Sequence, residues 1–137
     1  MEHDPRADEH DIAAVLVRYA TGIDRRDWEL FRTCFTDDVV AEYEGLEPWH
    51  GVDAITGSMT TSHAGMGHTL HRLSNVAITV DGDTATARTY VDALLMAPDG
   101  RTGLNPCGFY DDELVRTALG WRIARRRFTS VHFGVIG

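Results

Sequence analysis

An acid–base pair is the chemistry that this sequence most directly suggests. Asp24 ends an apolar helical stripe, and His71 lies early in an apolar strand-like run. A buried carboxylate and a buried histidine each need a hydrogen-bond partner, and pairing satisfies both. An imidazole held by a carboxylate is also a general base with a set orientation. A purely structural Asp–His bridge is the alternative that the spacing leaves open.

Two tyrosines accompany this pair. Tyr19 falls on the inward stripe of the first helix, and Tyr43 falls on the inward side of a short strand. A phenol hydroxyl can donate a hydrogen bond to the negative oxygen that forms when a proton is removed beside a carbonyl. These residue types together suggest proton abstraction, followed by loss of water, isomerisation or cyclisation.

His68 is a rival to His71 as the base. The two are three residues apart, which places them on opposite faces of one regular strand. Leu70 and Val76 share the parity of His68, and this favours His68 on the apolar side. Asn75 shares the parity of His71, and a bulge between the two halves of the strand would reverse the later half.

Metal and cofactor sites find little support in the sequence. No phosphate-binding glycine loop is present, and the GxG at residues 65–67 lacks a strand before it and a helix after it. His63, His68 and His71 are close in sequence, but strand parity prevents one ion from binding both His68 and His71. We therefore expect that the protein needs neither a metal nor a cofactor.

The elements that must position these residues change in character along the chain. The apolar periodicity predicts a helix over residues 9–23, and Asp27 is a plausible N-cap for a second helix that ends at Asp37 and Asp38. A strand over 39–43 and a short helix over 53–59, capped by Asp53, follow. Four β-rich runs separated by turn signals complete the chain, at residues 68–80, 84–96, 105–115 and 120–133. Helices first and an antiparallel meander afterwards predict an α+β fold, with residues 1–10 as a flexible tail and 11–137 as one domain.

Composition narrows the choice of partners and of cell compartment. The net charge of −8 over 137 residues disfavours nucleic acid and anionic membranes, which need a basic surface. The basic run Arg125–Arg127 alternates across a strand, so we expect a solvated edge with one inward member. Cys34 and Cys107 have no metal-ligand spacing and are expected to be reduced thiols. No leader pattern and no apolar run of about 18 residues is present, and we expect a cytoplasmic protein.

Four segments together resemble a known family. Residues 19–28 (YATGIDRRDW), 35–38 (FTDD), 71–75 (HRLSN) and 81–85 (DGDTA) are similar in order and spacing to the SnoaL-like family of the nuclear transport factor two-like superfamily. The resemblance covers about residues 9–133. It implies a cone of about three helices on a strongly bent sheet around a deep apolar cavity. The superfamily includes polyketide cyclases, dehydratases of scytalone and bile acids, ketosteroid isomerase, and non-catalytic binding proteins and partner subunits.

The resemblance implies roles for individual residues. Asp24 matches the aspartate that orients a catalytic histidine in scytalone dehydratase, His71 matches that histidine, and Tyr43 matches a pocket tyrosine. Tyr19 and the segment 66–69 (MGHT) match bile-acid dehydratase instead, which keeps His68 as the rival base. The chain departs from scytalone dehydratase at Ile23 and near Leu95, where that enzyme has a second tyrosine and a second histidine. The substrate contacts that we expect are Trp28, Asn75, Asn105 and Tyr110.

The function that we expect is cofactor-independent acid–base catalysis on a small, mostly apolar, cyclic carbonyl compound such as a polyketide or a steroid. The alternative is a binding protein or partner subunit that uses the same cone without turnover. Many cones of this superfamily pair through the open face of the sheet, and the last strands carry apolar residues on both faces. We therefore expect a homodimer, with a trimer as the other possibility.

Overall fold

Three helices begin the fold in the computed structural model, which describes residues 2–137. Helix α1 spans Pro5–Arg25, α2 spans Trp28–Arg32 and α3 spans Val52–Ala64. The predicted stripe of α1 is buried against the sheet and forms much of the core: Ile12, Val15, Leu16, Tyr19 and Ile23. No helix within the described residues is long and apolar enough to cross a membrane.

The N-terminal boundary of the domain differs from the predicted one. Helix α1 begins at Pro5, where Asp4 caps it by accepting a hydrogen bond from the backbone N–H of Arg6 at 3.0 Å. Asp8 is buried and accepts two hydrogen bonds from Arg116, at 2.7 and 2.9 Å, and one from Trp121 at 3.2 Å. The prediction that residues 1–10 form a tail is therefore wrong from Pro5 onward, because a partner distant in sequence holds this turn.

The other two helices also differ at their ends. Asp27 caps α2 as predicted, but α2 stops at Arg32, and the aromatic Phe35 opens a strand instead of continuing the helix. Helix α3 runs past the predicted Met59 to Ala64. Its N-cap is Gly51, so the expected cap Asp53 lies inside the first turn, where it binds Arg32 at 2.6 Å.

Six strands form one curved, unclosed sheet behind the helices. They are β1 (Phe35–Tyr43), β2 (Trp49–His50), β3 (Thr69–Asp81), β4 (Thr84–Met96), β5 (Gly103–Thr117) and β6 (Gly120–Ile136). Their order is β2-β1-β6-β5-β4-β3, and the predicted meander from β3 to β6 is antiparallel throughout. Strand β1 lies parallel to β6, a long-range pairing that no local pattern indicates. The α+β class is confirmed.

An irregularity in β3 explains how His71 and the later apolar residues of this strand can face the same side. The register against β4 shifts between Ser74 and Ala77, and Asn75 has a φ of 52°. Before the shift Thr69, His71 and Leu73 face inward, whereas after it Ile78 and Val80 do. The bulge that would reverse the later half of the strand is thus present, and it allows His71 and the later apolar residues to face the same side.

The arginine run on β6 behaves as predicted in its side-chain directions. Arg126 is buried, while Arg125 and Arg127 are exposed and both bind Glu42. The strand itself is not an edge, since β6 lies between β1 and β5.

Candidate active site

A cavity of about 390 Å³ opens between α1, α3 and the concave side of the sheet. Its wall is mostly apolar and aromatic, with Trp49, Val91, Leu95, Phe128 and Phe133 among its members. The polar groups of its lining are three tyrosines, two histidines, three serines and Glu44, and the described lining contains no lysine or arginine. Such a cavity suits a largely apolar molecule with a few oxygen atoms.

Asp24 and His71 are joined by a short hydrogen bond beside this cavity. The last turn of α1 brings Asp24 to the start of β3, where its Oδ1 lies 2.7 Å from Nδ1 of His71 and its Oδ2 accepts the backbone N–H of His71 at 2.9 Å. The side chains are 20% and 8% exposed, respectively. Burial opposes ionisation of Asp24, but the hydrogen bonds from His71 and Thr69 outweigh it and hold the pKa of the carboxyl below its ordinary value.

The pairing assigns the tautomer of His71. A carboxylate can only accept, so Nδ1 of His71 carries the proton that lies between them. In the neutral ring the other nitrogen, Nε2, is then the acceptor, on the edge of the ring away from Asp24, and His71 lines the cavity. This is the arrangement of a general base whose orientation is held by an acid.

A second layer of polar contacts holds Asp24 in place. Thr69 donates its hydroxyl to Oδ1 of Asp24 at 2.8 Å and accepts from Arg26 at 2.8 Å. Arg26 also donates to the carbonyl of Gly67 at 2.7 Å. Arg26 is the C-cap of α1 and has a left-handed backbone conformation, with φ of 57°. The end of the helix and the start of β3 are therefore locked together around the carboxylate.

Three tyrosines meet at the inner end of the cavity. The hydroxyls of Tyr19 and Tyr43 are 2.9 Å apart, and the ring of Tyr110 lies 5.7 Å from that of Tyr19 and 6.1 Å from that of Tyr43. The ring of Tyr19 is also edge-on to His71, with centroids 6.2 Å apart. Burial raises the pKa of Tyr19 well above its ordinary value, so this phenol stays protonated and remains a donor.

His63 is a second histidine of the cavity, and the sequence prediction missed it as a site residue. Its ring lies 6.1 Å from that of His71, and Nδ1 donates to the carbonyl of Met59 at 2.9 Å. Nε2 is buried and has no partner among the described residues, and burial lowers the pKa of the ring. The signal was present in the spacing of Ile55, Met59 and His63, which continues one helix face beyond the predicted end at Met59.

The predicted site residues thus divide into two groups. Asp24, His71, Tyr19, Tyr43 and Tyr110 converge at the cavity.

The other four do not line the cavity. His68 is exposed just before β3 and does not line the cavity, and Asn75 is exposed at the bulge. Trp28 packs against Phe31 and His63, with ring centroids 5.3 and 6.1 Å away, behind the cavity wall. Asn105 donates to the carboxylate of Asp92 at 2.8 Å, on the side away from the cavity.

Similarity to known proteins supports the predicted family. Residues 5–127 match the SnoaL-like domain family. The chain is 33% identical over 125 residues to the uncharacterized protein Rv2910c of Mycobacterium tuberculosis, which covers 88% of this chain and 83% of that protein.

Solved structures agree on the fold. The crystal structure of Kfla4162 from Kribbella flavida has a TM-score of 0.90 at 28% identity, covering 96% of this chain and 95% of that one. A candidate scytalone dehydratase from Novosphingobium aromaticivorans has a TM-score of 0.87 at 22% identity, covering 94% and 87%. At that identity the second likeness shows the fold alone.

Proposed function

Since the chain belongs to the SnoaL-like domain family, we propose that it is a cofactor-independent acid–base enzyme of the dehydratase, isomerase or cyclase type. Its substrate would be a small, mostly apolar, cyclic carbonyl compound such as a polyketide or a steroid. The observation that carries the proposal is the bonded Asp24–His71 pair, which leaves Nε2 of His71 as an acceptor in an apolar cavity that also holds the Tyr19–Tyr43 hydroxyl pair.

Proton abstraction would begin at His71. Its Nε2 takes a proton from the carbon next to the carbonyl, and the electrons of the broken C–H bond move into a carbon–carbon double bond while the oxygen becomes negative. Asp24 keeps the imidazole in the required tautomer and stabilises the imidazolium that forms. Tyr43, supported by Tyr19, donates a hydrogen bond to the enolate oxygen.

Loss of water would complete a dehydration. The enolate restores its carbonyl and expels a hydroxyl from the carbon beyond, which leaves as water with the proton that His71 had taken. An isomerisation would instead return that proton to another carbon. General base catalysis contributes about 10² to 10⁴ in rate and one oxyanion donor about 10² to 10³. These factors suit a proton already acidified by a carbonyl, and we therefore favour such substrates.

The proposal can be tested without knowing the natural substrate. 2-Tetralone is a neutral bicyclic ketone, and the exchange of its α-protons for deuterium in D₂O can be followed by NMR. We expect the protein to accelerate this exchange and His71→Ala and Tyr43→Phe to abolish most of the acceleration. His68→Ala is the matched control, because it removes an exposed histidine of the same segment.

Two outcomes would contradict the proposal. If His68→Ala abolished exchange while His71→Ala stayed folded and active, the base would be misassigned. If the wild type and all variants bound 2-tetralone alike with no exchange, the non-catalytic binding protein or partner subunit would be the better description.

Assembly is the second part of the proposal. We expect a homodimer, with a trimer as the alternative, because several apolar side chains of the sheet are exposed in the single chain. They are Leu70 on β3, Tyr90 on β4 and Val131, Phe133 and Val135 on β6.

A further inference from the structure

An ion pair is buried directly behind the tyrosines of the cavity. Arg126 of β6 and Asp112 of β5 are 1% and 0% exposed, and they form two parallel hydrogen bonds, from Nε at 2.8 Å and from Nη2 at 2.9 Å. The remaining nitrogen, Nη1, is buried without a partner among the described residues. Removing two charges from water costs several kcal/mol per ion, and apolar residues of similar volume often serve stability as well or better. Stability alone is therefore a weak reason for this pair.

The guanidinium lies against the faces of two of the three tyrosines. Its central carbon is 3.8 Å from the ring centroid of Tyr110 and 4.2 Å from that of Tyr19. A cation over an aromatic face withdraws electron density from the ring, and its field is strong where water is excluded. A phenol with a more electron-poor ring donates a stronger hydrogen bond. Either hydroxyl of the Tyr19–Tyr43 pair can be the donor; when Tyr19 donates, its stronger hydrogen bond also polarises the hydroxyl of Tyr43, the less buried of the two.

We propose that Arg126, held by Asp112, is a positioning residue that polarises the Tyr19–Tyr43 pair, so that the cavity selects ligands whose ring carries a negative oxygen, namely enolates and phenolates. The inference rests on the proposed function, since it concerns the same tyrosines. It adds that a positive charge acts on the oxyanion through the phenol rings, although no arginine or lysine lines the cavity among the described residues.

The charges around the site agree with this role. Burial raises the pKa of Tyr19, and Arg126 opposes that rise. Burial also opposes the charge of Arg126, but the Asp112 carboxylate outweighs it and raises the pKa of the guanidinium above its ordinary value. The other titratable groups of the described lining are Tyr43, Tyr110, His63, His71 and Glu44, and none of these is a fixed cation.

The test compares two ligands that differ in one ionisable group. 4-Nitrophenol, above its own pKa, presents a phenolate, whereas its methyl ether 4-nitroanisole has nearly the same shape and no charge. Affinities would be measured for the wild type and for the double variant Arg126→Met with Asp112→Leu, which replaces the pair by apolar side chains. Arg88→Met with Asp111→Leu is the matched control: Arg88 also binds its aspartate through two hydrogen bonds and stacks on Phe109 at 4.2 Å, but outside the cavity.

The expected result is a change in ligand preference. Loss of the buried pair should weaken 4-nitrophenolate binding by roughly tenfold, the size expected for a desolvated cation on an aromatic face, and leave 4-nitroanisole binding nearly unchanged. The control should alter neither. Equal weakening of both ligands would mean that Arg126 only shapes the cavity and would overturn the inference.

Two further results separate this inference from the proposed function. If Tyr43→Phe weakens phenolate binding but the loss of Arg126 does not, the inference is wrong and the tyrosine donor stands. If the wild-type protein does not bind 4-nitrophenolate more tightly than 4-nitroanisole, the inference is also wrong. Proton exchange in 2-tetralone then still tests whether His71 is the base. If the double variant does not fold, Arg126→Lys and Arg126→Gln replace it. Arg126→Lys should keep the phenolate preference and Arg126→Gln should lose it. An equal loss of preference in both variants would refute a role for the charge.

Discussion

Replacement of Asp24 by Asn probes the proposed base through its partner and changes only one atom. Every group that touches the carboxylate is a donor: Thr69 and Nδ1 of His71 at one oxygen, and the backbone N–H of His71 at the other. An asparagine must place its NH₂ group at one of these two positions. At the first, it forces the His71 ring into the tautomer with the proton on Nε2, which cannot accept another. At the second, it faces the backbone N–H and leaves that donor unpaired.

Both orientations predict a large loss. The first removes the general base, worth about 10² to 10⁴ in rate, and the second removes the negative charge that stabilises the imidazolium. An unpaired, partly buried N–H also costs roughly 1 to 3 kcal/mol of folding stability. We therefore expect Asp24→Asn to slow α-proton exchange in 2-tetralone by about 10² to 10⁴ while the protein remains folded.

Three measurements check the reasoning. The ¹⁵N shifts of the His71 ring report the tautomer directly, and in the wild type they should show the proton on Nδ1. Asp24→Asn combined with His71→Ala should be no slower than the slower single variant, because the two residues act as one unit. Asp27→Asn is the matched control, since asparagine caps a helix as well as aspartate does. A folded Asp24→Asn protein that exchanged protons at nearly the wild-type rate would refute the catalytic pair and leave a structural bridge.

Three other predictions concern stability and assembly. Gly22→Ala should destabilise the protein by roughly 1 to 3 kcal/mol in urea unfolding, because the added Cβ would lie 2.9 Å from the backbone nitrogen of Phe31. Gly57→Ala on α3 is the control: its added Cβ meets nothing within 4 Å, so it should be neutral or stabilising by up to about 1 kcal/mol. Arg116 lowers the pKa of Asp8 from 3.8 to about 2 against the effect of burial, so the stability that this carboxylate contributes is complete above 3.8 and is lost as the pH falls toward 2. In urea unfolding across that pH range, the free energy of unfolding of Asp8→Asn should fall less steeply with decreasing pH than that of the wild type. An equal slope in the two proteins would contradict the role given to Asp8. Light scattering should give a dimer or trimer mass, and a stable mass of 15.2 kDa at high concentration would rule out the proposed assembly.

Local rules of sequence account for most of the fold. The helical period in α1 and the turn signals between β3, β4, β5 and β6 depend on neighbours within a few residues. They can therefore be predicted from the sequence alone. Asp24 was placed correctly for the same reason, because it lies in line with the buried stripe of its helix. The end of α2 and the start of α1 were not, because Phe35 joins a parallel strand partner and Asp8 binds a distant arginine.

The sequence by itself determined the types of residue in the site: an aspartate, a histidine and tyrosines on inward faces. Only the tertiary structure decided which histidine faces the cavity, because strand parity holds only for a regular strand, and the bulge at Asn75 breaks it. His63 and Arg126 likewise join the site through contacts between elements far apart in the chain. Periodicity tells which face of an element is buried, but the neighbours that it meets there depend on the packing of the whole domain.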